Sequence, residues 1–143
     1  MPEILNPNHR LPADLLEFYS LCGGAVLFEG ADYDIIIVPP DQLVPANPVI
    51  LGEQFEEDRT SSWYIIGDAG NSDYLTIDLA TGRLGKCYES FHETHGLIGD
   101  CPVIAKSFTD LLQCLLANQG GYFYWLEDEF VSLGDGYDGV GED

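Results

Sequence analysis

The stretch that decides the fold runs from residue 63 to residue 88. It reads Trp63-Tyr64-Ile65-Ile66-Gly67, Asp68-Ala69-Gly70-Asn71-Ser72-Asp73, Tyr74-Leu75-Thr76-Ile77-Asp78-Leu79, Ala80-Thr81-Gly82 and then Arg83 to Tyr88. Leu75, Ile77 and Leu79 alternate with Tyr74, Thr76 and Asp78, the period of a strand with one well-buried face. Trp63 to Ile66 is apolar on both sides, which predicts an inner strand covered above and below. The first connection holds Gly, Asn, Asp and Ser, residues that tolerate positive φ or bond their own backbone. The second ends in Gly82 and predicts a type I turn closed by a left-handed glycine. The segment therefore predicts three antiparallel strands joined by two turns, with Asp78 accepting hydrogen bonds from loop amides as a turn-former.

Outward from that core, two helical patterns bracket the chain. Leu15, Phe18, Tyr19 and Cys22 fall at i, i+3, i+4 and i+7, with Pro12 in the first turn, Asp14 at the positive end of the dipole and Gly23-Gly24 as terminator. Phe108, Leu111, Leu112, Leu115 and Leu116 form a second stripe, with Ser107 as cap and Asp110 three residues on. Ala25 to Phe28 is a short strand candidate, and Ile35 to Val38 predicts another inner strand stopped by Pro39-Pro40. Asp41 to Leu43 suits one helical turn, Pro45 and Pro48 predict irregular chain, and Val49-Ile50-Leu51 is expected to pack inward. Residues 89 to 102 read as a loop and Val103 to Ala105 as an apolar lead into the helix. The aromatic run at 122 to 126 is expected to pack back on the sheet or the second helix. The expected division is one α+β domain over residues 1–126 and an acidic, turn-rich tail over 127–143.

The 143 residues carry 25 Asp and Glu against 5 Lys and Arg, a formal charge of −20. Such a balance disfavours nucleic acid and anionic membrane as partners, since both are held by Lys and Arg. It favours a basic protein, or serves solubility alone. No apolar run reaches the ~20 residues needed to span a bilayer. The first ten residues lack the pattern of a signal peptide. Four cysteines with no close pairing motif suit reduced thiols in the cytoplasm, Cys22 and Cys114 as small core hydrophobes.

No spacing declares a reaction. Cys87, His92, His95 and Cys101 have the right chemistry for tetrahedral zinc but lack a Cys-x₂-Cys pair, so no metal is assigned. In His92-Glu93-Thr94-His95 the second His comes one residue too early for the metalloprotease motif. Asp135-Gly136-Tyr137-Asp138-Gly139 does not space its acids as a calcium loop does. No cofactor is expected.

The landmarks nonetheless fall in a familiar order. Leu11-Pro12, Leu15, Phe18-Tyr19 and Gly23-Gly24 resemble the opening of the SUKH superfamily, which includes the Smi/Knr-type regulator of yeast cell-wall synthesis. Trp63 to Asp68, Tyr74 to Asp78 and Thr81-Gly82 resemble its central hairpin, and Ile104-Ala105, Ser107-Phe108 and Leu111-Leu112 its closing helix. Gly23-Gly24 stands where Asn-Gly is usual. The resemblance implies one twisted, mainly antiparallel sheet packed by an N-terminal and a C-terminal helix, and non-enzymatic work. Bacterial members resemble immunity proteins that bind a cognate toxin, often a nuclease.

A basic toxin domain is thus the expected partner. The partner-binding candidates are Glu53, Glu56, Glu57 and Asp58, with Glu127, Asp128 and Glu129 and Phe130 as an apolar anchor, against the alternative of a solvated acidic face. A scaffold or regulatory adaptor, and a metal-binding protein through the Cys/His set, are the other readings. Self-association through an edge strand or the aromatic run is a further expectation.

Overall fold

The three-strand unit lies at the middle of a larger sheet. A computed structural model describes residues 4, 6–30, 34–55, 58–70, 73–97, 101–119, 123–126, 130 and 133–137. Its strands are β1 (Ala25–Leu27), β2 (Ile35–Ile37), β3 (Trp63–Asp68), β4 (Asp73–Asp78), β5 (Cys87–Phe91) and β6 (Val103–Ala105). They form one six-stranded sheet in sequence order, every neighbour antiparallel. The helices are α1 (Ala13–Leu21), α2 (Ala46–Ile50) and α3 (Phe108–Asn118). This is the expected α+β fold, with β6 where the sequence suggested only a lead into the helix.

Register sorts the side chains onto two faces. Tyr64, Gly67, Leu75, Ile77 and Cys87 share one face. All but Gly67 belong to the core cluster that also holds Leu15 and Tyr19 of α1 and Phe108, Leu111 and Leu115 of α3. Each fully buried Leu, Ile or Phe there contributes about 1.5–3 kcal/mol relative to exposure. Asp14 ties the helices together, its Oδ2 accepting from the Thr109 amide and hydroxyl at 2.9 Å each. Ser107 caps α3 by accepting from the Asp110 amide, while the Asp110 carboxylate accepts from the Lys106 amide, one residue before the cap. The aromatic run packs back as expected: Tyr124 donates to the Ile104 carbonyl and Trp125 is buried on β5.

Among the described residues, the second face is covered over only part of its extent. Trp63 stacks on Tyr88 with ring centroids 4.1 Å apart. Val103, Cys101, Tyr137 and Leu133 complete this smaller cluster. Residues 133–137 come from the stretch expected as tail, yet they pair with the chain beside β6 through Val103 N–H to Gly134 O and Gly136 N–H to Cys101 O. Farther along the same face, Val26 and Ile36 sit opposite one another, 50% and 41% exposed.

Several local expectations are corrected. The β4–β5 connection is a 3₁₀ turn (Thr81–Arg83), and its left-handed glycine is Gly85, not Gly82. That path carries Arg83 back to Asp78. Pro45 and Pro48 do not keep the chain irregular: they fall at the cap and in the first turn of α2, where amides need no helical partner. Val49 and Leu51 do not pack inward but are 48% and 42% exposed, and Ile50 alone of that trio leans on the core. Cys22 is exposed at the end of α1. β2 is not covered on both sides, because Ile36 faces outward. α3 is closed by left-handed Gln119.

Candidate protein-binding surface

The most elaborate polar arrangement lies at the end of the sheet where β3 begins. Asp78 is fully buried there. Its Oδ1 accepts from the Ser62 hydroxyl (2.6 Å) and the Ala80 amide (3.1 Å). Its Oδ2 accepts from the Tyr88 hydroxyl (2.6 Å) and Arg83 Nε (2.9 Å). Both oxygens are saturated by the fold, so this carboxylate has no capacity left for a substrate. Asp78 is a turn-former, as its place in the sequence implies.

The residues weighed for zinc are dispersed among separate partners. The buried Cys87 thiol points at the Gly85 and Ser107 carbonyls, and burial pushes it well above the ordinary thiol range. Cys101 lies in the other cluster against the Thr94 and Leu97 carbonyls, with burial raising it to about 11. His92 bonds Asp73 at 2.9 Å and His95 bonds Asn47 at 2.7 Å. Among the described residues no group of three or more His, Cys, Asp and Glu is gathered as a metal site.

The acidic candidates separate in the same way. Glu53 is exposed beyond α2. Asp58 caps the turn before β3, its Oδ2 accepting from the Thr60 amide (3.1 Å) and hydroxyl (2.6 Å) and from Tyr137 (2.7 Å). Partial burial works to raise its pKa, but these hydrogen bonds outweigh burial and hold it below the usual carboxylate range. Phe130 is half-buried, packed on the main core and edge-to-face with Tyr124. Glu56, Glu57, Glu127, Asp128 and Glu129 lie outside the described residues.

Among the described residues, the part of the second sheet face around β2, β3 and β4 is left open. A groove of about 250 Å³ runs there, floored by Val38, Val44 and Ile65 and walled by Val49 and Tyr74. Asp41, Gln42 and Asp68 bound it. Asp68 Oδ1 accepts the Gly70 amide at 2.8 Å, so one oxygen is committed to the hairpin. The groove is assembled from four separated segments, which is why no local motif signals it. A second groove of about 310 Å³ separates α1 from α3, edged by Leu21, Glu17 and Leu116.

Charge is segregated along the strands. All five Lys and Arg residues gather near the end of the sheet marked by Trp63, Asp78 and Cys87. Arg83 and Lys86 lie in or beside the β4–β5 turn, and the Arg10 amide bonds Leu79 O at 3.1 Å. Lys106 follows β6 beside Gly85, and Arg59 precedes Trp63. The other end carries Glu29, Asp34, Asp41, Asp68 and Asp73, with His92 bound to Asp73. At about 3.3 Å per residue the two ends of β3 are about 17 Å apart.

Two comparisons agree with this architecture. The model of the SMI1 / KNR4 family (SUKH-1) matches residues 5–114. The immunity protein YokJ of Bacillus subtilis (strain 168) is 56% identical over 137 residues, covering 96% of this chain and 83% of that protein. No solved structure matches. The family match spans the helices and strands just described, from the lead into α1 to the second turn of α3, and the chain belongs to the SMI1/KNR4 (SUKH-1) family.

Proposed function

We propose that this protein is an immunity protein that neutralises a cognate toxin by direct stoichiometric binding, without catalysis, in the cytoplasm of the cell that makes it. The observation that carries the reading is 56% identity to an immunity protein across 96% of the chain. The charge of −20 supports a basic toxin, of the kind whose substrate groove must hold nucleic-acid phosphates. Carboxylates can compete for such a groove and steer the encounter. An open apolar patch on an acidic surface supports protein binding as the mode of action.

The test is co-expression with toxin domains cloned from the host genome, beginning with any encoded next to this gene. Protection of the host, together with a complex that elutes as one species at low salt and weakens at high salt, is the expected result. A toxin that kills regardless, and that does not co-elute, overturns the reading.

A further inference from the structure

We propose that the toxin docks on the open sheet face and seats one arginine or lysine side chain in the groove between α2 and the β3–β4 hairpin. This rests on the immunity reading above and names the surface and chemistry it uses.

Size is the first argument. At about 250 Å³ the groove falls below the ~300–1,000 Å³ of ordinary small-molecule sites. It suits one long side chain.

Chemistry is the second. The Val38, Val44 and Ile65 floor suits the aliphatic stem that Lys and Arg bury while their heads stay polar. Two carboxylates, Asp41 and Asp68, line the same groove and can receive that head. Among the described residues Asp41 has no side-chain partner, and Asp68 gives one oxygen to the Gly70 amide while its other oxygen accepts from none of them. The Tyr74 ring walls the same groove and offers a face to a cation.

Surroundings are the third argument. Val26 and Ile36, paired across β1 and β2 and half-exposed, extend the open face beside Asp68, which is itself the cross-strand partner of Ile36. A charged contact beside apolar surface that excludes water is the setting in which interface residues contribute most. The five native cations cluster toward the far end of the strands, so none competes for the groove. The field across the sheet would turn the acidic end toward a basic partner. The α1–α3 groove has a larger volume, but its Asp14 is already bonded to Thr109.

The experiment measures affinity for a catalytically inactivated form of the toxin domain that the co-expression test identifies. Wild type is compared with Asp41→Asn/Asp68→Asn and with Glu17→Gln/Glu93→Gln, which removes the same formal charge from two exposed acids elsewhere. A third variant, Val49→Arg, supplies a cation from the rim and fills the groove while leaving both carboxylates in place. Thermal melts verify that each variant is folded. The groove variants should each weaken binding by roughly 30-fold or more, and the matched control by less than about threefold. Binding by the Asn pair within threefold of wild type, or equal losses in the Asn pair and the control, overturns the groove and leaves the immunity reading standing. Failure of wild type itself to bind removes the immunity reading and the groove with it.

Discussion

His95 shows how a single buried side chain couples this fold to pH. Asn47 donates to Gln54 Oε1 and Thr60 Oγ1, which fixes its amide and turns its oxygen toward His95 Nε2 at 2.7 Å. The neutral ring therefore donates from Nε2, and Nδ1 is left buried without a partner. Burial lowers the His95 pKa to about 4, with the Asp58 charge opposing the shift. A base whose folded pKa lies below its unfolded value binds fewer protons in the native state, so stability falls as pH drops from about 6.5 toward 4. Between pH 7 and pH 5 this one group should remove about 2 kcal/mol. Glu89 works the other way: burial raises its pKa, Trp125 Nε1 opposes at 2.6 Å, and the carboxyl gains stability as it protonates. Urea titrations at both pH values, on wild type and His95→Gln, isolate the histidine. The variant should lose little on acidification; an equal loss in both would remove His95 as the cause. Nothing in His92-Glu93-Thr94-His95 separates the two histidines as a sequence. Their fates differ because α2 covers His95 and not His92.

At the scale of elements, β3, β4 and the two long helices were legible because each is specified locally, by alternation, by 3.6-residue stripes and by capping residues. β5 was foreseen only at Cys87 and Tyr88, because Arg83 turns back in the connection and Glu89 to Phe91 read as loop. β6 was not, because three residues carry no period. The docking of residues 133–137 was hidden for a different reason. Leu133 to Tyr137 is rich in Gly and Asp and reads as a turn, yet Gly136 lies directly on the Trp63 ring and Tyr137 donates to Asp58. A Cβ at residue 136 would collide with that ring, which is pinned between Tyr88 and the segment. Gly136→Ala should therefore cost about 2 kcal/mol through overpacking. In a Trp125→Phe background, the emission of Trp63 should shift to the red as the segment lifts. Gly82→Ala is the matched control: its Cβ would meet nothing within 4 Å and its φ is not left-handed, so stability should change by less than about 0.5 kcal/mol. Equal effects at the two glycines would mean that residues 133–137 do not cover Trp63. The open groove belongs to this scale too. Its lining comes from the chain after β2, from α2 and from the two strands of the β3–β4 hairpin, segments that only the sheet register brings together.

For the whole molecule, charge is the governing quantity, and it acts in opposite senses on folding and on association. Twenty uncompensated negative charges on 143 residues repel one another in the compact state. The five cations relieve this only near one end of the sheet, where Arg83 meets Asp78. Salt screens repulsion over about 10 Å at 0.1 M and about 3 Å at 1 M. Raising NaCl from 20 to 500 mM should therefore stabilise the free protein, by about 1 kcal/mol or about 4 °C in melting temperature. The same screening weakens attraction for a basic partner, so the association rate should fall by about tenfold or more while dissociation changes less. Scanning calorimetry and stopped-flow mixing with the toxin domain measure the two effects on one salt series. A protein selected merely for solubility would show the first effect without the second. One whose acids are arranged to meet a basic surface shows both, and in that case the Asp41→Asn/Asp68→Asn variant should keep the rise in melting temperature while losing affinity at every salt concentration.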